Sequence, residues 1–200
     1  MRNQVVREET RELILDAVDR LLERNGYKKM KVDDVAEEVG IGKGTIYLHF
    51  SSKADLALAH IDRIVQRLLV QLNEIAESSA PPVNKLHSML VMRVLARFDS
   101  VQHYSESIND LLAELRANLL ARRENHFDEE ARVFARILEE GRRKKVFELK
   151  NSQATAHTLL LATNALLPYS LSVKELGHRE EIAENATRIA DLLLQGVVRR

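Results

Sequence analysis

The sequence of 200 residues contains no cysteine and no tryptophan, and it has only 3 prolines, 7 glycines and 4% aromatic residues. Without cysteine the chain cannot form a disulfide framework, a thiolate zinc site or an iron–sulfur cluster, and it has no cysteine nucleophile. The scarcity of glycine and proline disfavours a turn-rich β-sandwich and favours long helices. With 45% hydrophobic and 30% charged residues, the composition is that of a folded protein of one or two domains.

Long apolar runs are also missing from the sequence. The longest, Leu159 to Leu167, has nine residues and includes Thr163 and Asn164, whereas a membrane-spanning helix needs about 20. The first residues, MRNQVVREETR, mix acids with bases and contain no apolar signal region. We therefore expect a soluble protein located in the cytoplasm.

Hydrophobic spacing predicts an all-α protein of about nine helices. Apolar residues at helical spacing run from Leu13 to Leu22, and Gly26 is expected to end that helix. A long fourth helix begins after Ser52, which forms a variant of the capping box with Asp55. The other helices are expected at residues 32–39, 43–50, 83–100, 105–121, 124–144, 152–175 and 179–198.

Residues 35–50, VAEEVGIGKGTIYLHF, have the pattern of a helix-turn-helix motif. Ala36 is small where two helices cross, Gly40 can adopt the left-handed turn conformation, and Ile46 turns toward the core. Besides Leu48, the residues left facing outward on the second helix of the motif are Lys43, Gly44, Thr45, Tyr47 and His49. A cation, a bare backbone, a hydroxyl, a phenol and an imidazole are groups that suit a DNA groove.

The formal net charge is zero, because 30 Lys and Arg balance 30 Asp and Glu. This balance by itself gives no indication of a nucleic-acid partner. The bases are nevertheless sorted, since residues 24–32 and 40–54 contain no acid. Those two stretches hold Arg24, Lys28, Lys29, Lys31, Lys43 and Lys53. The placement of charge, and not its excess, therefore predicts a surface for a nucleic acid.

Residues 26–56, GYKKMKVDDVAEEVGIGKGTIYLHFSSKADL, closely resemble the N-terminal DNA-binding segment of TetR-family (tetracycline-repressor-like) transcriptional regulators. The resemblance implies a three-helix helix-turn-helix domain at residues 1–54 and a larger helical ligand-binding and dimerisation domain at residues 55–200. It further implies a repressor that binds a palindromic double-stranded DNA operator as a homodimer. An unidentified small-molecule effector would release the DNA, and no cofactor is implied.

By position, the resemblance implies that the outward residues of the second helix of the motif contact bases or phosphates. This helix is called the recognition helix below. These are Lys43, Gly44, Thr45, Tyr47 and His49, and Lys53 would hold a phosphate. Two positions depart from the family pattern. Lys31 stands where Ser or Thr usually caps the first helix of the motif, and Gly42 stands where Ser usually caps the recognition helix. Lys31 cannot accept a capping hydrogen bond, but it can reach a phosphate.

The last two predicted helices are apolar over more than one face, which favours burial against a second copy of the chain. The alternative is a helix pair buried within one chain. For a small molecule, the candidates are residues of the later helices where polar groups stand among apolar ones: Met92, Phe98, His103 and Asn164. Because Pro168 cannot donate a hydrogen bond to the Asn164 carbonyl, we expect a kink and a free carbonyl there. Each of these residues could also be an ordinary core or surface residue.

Catalytic and metal-binding motifs are missing from the sequence. His126 and Glu130 stand four residues apart, but no HExxH, nucleophile-elbow GxSxG or phosphate-binding glycine loop accompanies them. We therefore expect neither an enzyme nor a metal site. Two alternatives stay open: an all-helical ligand-binding protein or enzyme whose helix-turn-helix is only structural, and a helical adaptor that acts through protein contacts.

Overall fold

A computed structural model describes the backbone of residues 2–101, 105–167 and 177–197, and the side chains of residues 5–100, 113–167 and 177–197. The described chain is all-α, as the sequence predicts. Its α-helices are α1 (Arg2–Lys29), α2 (Val32–Val39), α3 (Lys43–His49), α4 (Lys53–Glu77), α5 (Pro82–Val101), α6 (Ser105–Arg143), α7 (Ser152–Thr163) and α8 (Arg179–Gln195). A short 3-10 helix, Asn164–Leu166, follows α7.

Local signals explain several helix ends. Gly26 has φ 69° and ψ 167°, so it interrupts α1 at the residue where the first helix is predicted to end. At the start of α4, the Asp55 amide donates to Ser52 Oγ at 3.1 Å, and Asp55 Oδ2 accepts from the Ser51 amide at 2.9 Å. The predicted capping box is therefore confirmed.

The predicted division of residues 105–144 into two helices is wrong. The structure has one continuous helix, α6, from Ser105 to Arg143. The sequence between the two predicted helices is Arg122-Arg123, and arginine is a good helix former. Without a glycine, a proline or a cap at this point, nothing in the local sequence interrupts the helix.

The predicted helix at residues 152–175 also ends early. Helix α7 stops at Thr163, and Leu167 is extended, with φ −83° and ψ 146°. This is the conformation expected of a residue that precedes a proline in the sequence, here Pro168. The Leu167 amide donates to the Asn164 carbonyl at 3.1 Å, so the predicted free carbonyl at Asn164 is wrong.

The chain divides into two compact units. The first comprises residues 1–64 and 103–121, and the second residues 65–102 and 122–200. The predicted domain boundary after residue 54 stays a prediction. The core of the first unit includes the buried side chains Ile14, Val18, Leu22, Val35, Ile46 and Leu56.

In the second unit, helix α5 packs against α7 and α8. The main core of this unit includes Leu68, Leu72, Met89, Phe134, Leu138 and Leu160. Near the end of α6 the ring of Phe147 lies so close to Gly141 that a Cβ atom at that position would overlap it. Among the described helices, none combines the length and the apolar character needed to cross a membrane.

Candidate nucleic-acid interface

Helices α2 and α3 form the helix-turn-helix motif within the first unit. Gly40 ends α2 with φ 75° and ψ 32°, a left-handed conformation that glycine adopts without strain. The Gly40 amide donates to the Glu37 carbonyl at 3.1 Å, and the Ile41 amide donates to the Ala36 carbonyl at 3.0 Å. These two bonds satisfy the last carbonyls of α2 and turn the chain directly into α3.

The recognition helix, α3, has one buried side chain. Ile46 is fully buried and fixes the helix to the core of the unit. On the opposite side, Tyr47 is 48% exposed and Leu48 is 72% exposed. Tyr47 and Leu48 are thus two adjacent large side chains on the exposed face of the recognition helix.

The remaining outward positions of α3 are a lysine and a glycine. Lys43 and Gly44 are exposed, whereas Thr45 and His49 are half-buried at the edges of the helix. A Cβ atom added at Gly44 would meet no other atom within 4 Å. The free protein therefore does not need a glycine at this position for packing, and the bare backbone is open to an external group.

The lysines assigned to phosphate contacts differ in their surroundings. Lys43 Nζ donates to Asp33 Oδ2 at 2.9 Å, and this hydrogen bond together with the carboxylate charge raises the pKa of Lys43. Lys53 Nζ donates to the Lys28 carbonyl at 3.2 Å and lies 4.3 Å from the centre of the Tyr27 ring. Both lysines are thus held at the edges of the motif by acceptors of the protein itself.

Lys31 precedes α2 and is exposed. Its side chain caps nothing, as predicted from its chemistry, because an ammonium group has no lone pair to accept an amide hydrogen. The start of α2 is stabilised instead by the Asp34 side chain, since the Lys31 amide donates to Asp34 Oδ2 at 3.1 Å. The Lys31 ammonium group is therefore not required by the cap of α2.

Charges near the motif are partly neutralised within the protein. Arg20 Nε donates to Glu38 Oε1 at 2.9 Å, and Arg24 Nη2 donates to the other Glu38 oxygen. These hydrogen bonds lower the pKa of Glu38. Arg24, which the sequence places in an acid-free stretch, therefore has a carboxylate partner from α2.

Histidine contributes hydrogen-bonding groups to the surface more than positive charge. Burial lowers the pKa of His49, and the positive charges of Arg7 and Arg11 lower it further. Because the ordinary value of 6.5 already lies below neutrality, the neutral imidazole predominates at pH 7. The positive charge predicted along α3 thus comes from lysine.

The structure brings one further cation to the recognition helix that sequence reasoning missed. Arg7 Nη2 donates to the Leu48 carbonyl at 3.3 Å. With Val6 and Thr10 it lines one side of an open cavity of about 430 Å³, whose other side is formed by Thr45, Leu48 and His49. The two sides are about forty residues apart in sequence, so only the fold relates them.

Three of the four candidate effector residues lie in different parts of the second unit. Asn164 is buried and accepts a hydrogen bond from Arg93 Nη2 at 2.9 Å. Phe98 is buried in a small apolar cluster with Val94 and Ile182, whereas Met92 is partly buried against the main core. His103 lies outside the described residues.

This geometry defines an all-helical protein with a helix-turn-helix motif whose recognition helix is exposed. Residues 14–60 match the family described as bacterial regulatory proteins, tetR family. Together with the HTH-type transcriptional regulators among the relatives, this match supports a TetR-family transcription regulator.

Two comparisons extend beyond the motif. The uncharacterized HTH-type transcriptional regulator in the lacX 3′ region of Lactococcus lactis subsp. lactis is 32% identical over 111 residues, which are 54% of this chain and 56% of that protein. The chain spans about half the length of the curated relatives it matches. The crystal structure of a transcriptional regulator from Cytophaga hutchinsonii has a TM-score of 0.75 at 21% identity, covering 94% of this chain and 98% of the other.

A structure described as a SmeT–triclosan complex has a TM-score of 0.66 at 19% identity, covering 96% of this chain and 92% of the other. At these identities the two structural matches establish the fold of the chain. They agree with the all-helical architecture seen here.

Proposed function

We propose that the chain is a transcriptional repressor that binds a palindromic DNA operator as a homodimer and is released from it by a small molecule. The observation that carries this proposal is the recognition helix, which is fixed by the buried Ile46 and presents Tyr47, Leu48 and Lys43 to solvent. The match of residues 14–60 to the tetR family supports DNA binding and regulation of transcription. It supports neither the enzyme nor the adaptor alternative.

The DNA contacts proposed here follow the surface of the motif. Gly44, Thr45, Tyr47 and His49 face the major groove, where a helix can reach base edges. Lys31, Lys43 and Lys53 bind phosphates. Lys43 exchanges Asp33 for a phosphate, and Lys53 exchanges the Lys28 carbonyl. Since Lys43 and Lys53 already have partners in the protein, the gain in affinity from their phosphate contacts is smaller than for a fully hydrated lysine.

The homodimer is proposed to form through α7 and α8. Leu161 on α7 is 59% exposed and Leu192 on α8 is 69% exposed. Both helices also bury apolar residues within their own unit, among them Leu159 and Ala190. Each helix thus presents one large exposed leucine in addition to the apolar residues that it buries, and a second copy of the chain would cover these leucines.

The effector is proposed to bind in the second unit. The SmeT structure that the chain resembles holds triclosan, which supports a small-molecule site in this fold. Helix α4 contributes residues to both units and is continuous from Lys53 to Glu77, so it connects the motif covalently to the second unit. An effector lowers the affinity for DNA only if it binds the DNA-incompetent conformation more tightly. We place the protein in the cytoplasm, where its DNA target is accessible.

The test of this function is selection from a library of random double-stranded DNA by the purified full chain, followed by footprinting. We expect an inverted repeat whose half-sites are about 34 Å apart, one turn of DNA, with two chains per duplex. Affinity should fall steeply with salt, because several lysine–phosphate contacts release counterions. Failure to enrich any sequence, or an affinity independent of salt, would contradict the proposal.

Replacing both Leu161 and Leu192 by glutamate is expected to convert the dimer to a monomer at micromolar concentration. Two charges per chain would then be buried at the interface without partners, which costs several kcal/mol in a dimer. Sedimentation velocity measures the change. Val70→Glu is the matched control, because Val70 is equally exposed but lies on α4. A double variant that stays dimeric would place the interface elsewhere.

A further inference from the structure

The second unit contains a cluster of three charged side chains, here called the arginine–glutamate cluster. It consists of Arg93 and Arg97, one helical turn apart on α5, and Glu130 on α6. The side chains of Arg93 and Glu130 are 1% exposed, and that of Arg97 is 16% exposed. Buried ions carry a large desolvation cost, so their hydrogen bonds and their charge balance matter.

Arg93 is fully engaged by the protein. Its Nε donates to Glu130 Oε2. Its Nη1 donates to Thr163 Oγ1 at 2.9 Å and to the Leu160 carbonyl at 3.3 Å, and its Nη2 donates to Asn164 Oδ1 at 2.9 Å. Arg93 thus ties α5 to α6, to α7 and to the 3-10 helix, and it has a structural role.

Arg97 makes fewer hydrogen bonds than Arg93. Its Nη2 donates to Glu130 Oε1, so both oxygens of that carboxylate are in use. Its Nε is buried and has no acceptor among the described residues. The Arg97 side chain as a whole retains 16% of its exposure to solvent.

The cluster carries one more positive charge than negative charge. Burial raises the pKa of Glu130, but the charges of Arg97 and Arg93 outweigh this effect, so the pKa lies below its ordinary value. The carboxylate is therefore ionised at neutral pH, and it balances only one of the two arginines.

Among the residues whose side chains the structure describes, neighbouring acids do not supply the missing negative charge. On α5, Asp99 accepts from Arg179 Nε at 2.7 Å. On α6, Asp128 lies 3.5 Å from His157, and Glu129 accepts from Gln66 at 3.3 Å. Each of these three acids is thus directed to another residue, and Arg97 has Glu130 as its single carboxylate partner in the described chain.

We propose that Arg97 binds the carboxylate of the effector, and that the effector is a monoanion on an apolar body. This inference rests on the proposed function, in which the second unit binds a small molecule. A single carboxylate supplies both the acceptor that the buried Nε lacks and the charge that balances the cluster. The apolar body is suggested by partly buried hydrophobic residues on the same helices, Met92 and Ala96 on α5 and Phe127 on α6.

The probes for this proposal are decanoate, decanol and decyl phosphate, titrated into the full chain by isothermal titration calorimetry at pH 7. Decanoate should bind about 10-fold or more tightly than decanol, since a charge-assisted hydrogen bond adds to the apolar contact. Decyl phosphate separates a carboxylate site from a general phosphate site. Tighter binding of decanol or decyl phosphate than of decanoate, or no binding of decanoate, overturns the proposal.

Arg97→Gln should remove the preference for decanoate while leaving the affinity for decanol unchanged. Arg132→Gln, which removes an exposed arginine from α6, is the control and should retain the preference. Arg97→Lys keeps the positive charge and replaces the glutamine variant in this test if that variant fails to fold. It should show a preference for decanoate that is reduced but not lost. An unchanged preference in Arg97→Gln or Arg97→Lys overturns the proposal.

The same protein preparation is also tested for binding to its selected DNA. A chain that binds this DNA but does not prefer decanoate overturns the carboxylate site alone. A chain that binds no DNA overturns the proposed function, whatever the probes show.

Discussion

Replacing Tyr47 by alanine is expected to lower the affinity for the selected operator DNA by about 10- to 100-fold, which corresponds to the 1–3 kcal/mol of a specific base contact. The Tyr47 side chain is half exposed on the recognition helix, while its neighbour Ile46 is fully buried. The substitution therefore removes a group from the exposed surface of the recognition helix and leaves the core of the motif intact. Fluorescence polarisation with labelled operator at physiological salt measures the loss.

The control for Tyr47→Ala is Leu120→Ala. Leu120 is similarly exposed, but it lies on α6, outside the motif. Its substitution should leave DNA affinity unchanged, and neither variant should change the thermal midpoint by more than a few degrees. Tyr47→Phe separates the hydroxyl from the ring. Equal affinities of the wild type and Tyr47→Ala would show that Tyr47 does not contact DNA.

Replacing Glu130 by alanine is expected to lower the free energy of unfolding by about 3–5 kcal/mol, the cost of breaking a buried ion pair from one side. Glu130 is the counterion of both Arg93 and Arg97. Its removal leaves two guanidinium groups together in a buried site without a compensating charge. Urea unfolding at pH 7, followed by circular dichroism, measures the change in midpoint.

The matched control is Glu129→Ala, on the same helix. Glu129 is more exposed than Glu130 and accepts one hydrogen bond from Gln66, so its loss should cost less than about 1 kcal/mol. Similar urea midpoints for the two variants would contradict a stabilising role for the arginine–glutamate cluster.

Acid should weaken the same interaction in the wild type. The pKa of Glu130 is lowered in the folded state, so the unfolded chain takes up a proton first as the pH falls. The stabilisation from this group is complete above the ordinary carboxylate pKa of 4.5 and is lost as the pH falls through the lowered folded value. The stability difference between wild type and Glu130→Ala should therefore shrink below about pH 4.5.

The helix-turn-helix motif could be predicted because its signals are local. The left-handed Gly40, the inward Ile46 and the capping pair Ser52 and Asp55 each act within a few residues along the chain. Helix ends without such signals were predicted less well. The two helices expected within residues 105–144 are one, because no residue there stops a helix.

At the end of α7, Pro168 acts on the residue before it, Leu167, and not on the Asn164 carbonyl as the sequence predicts. Pro168 was expected to leave the Asn164 carbonyl free, whereas Leu167 becomes extended and its amide bonds that carbonyl. A proline restricts the residue before it as strongly as it removes its own donor. The carbonyl is therefore satisfied, and the part of Asn164 that matters is its side chain, which accepts from Arg93.

The sequence by itself determined the all-helical class, the recognition helix and its outward residues, because helical periodicity, caps and a turn glycine act over one or two turns. The tertiary structure alone decided which charges meet. Arg7 reaches Leu48 across 41 positions, and Arg93 reaches Glu130 across 37 and Asn164 across 71. Such pairs depend on how helices pack, and packing is set by the whole core and not by any one segment. The net charge of zero therefore indicated neither the lysines of the motif nor the arginine in the second unit that lacks a balancing negative charge.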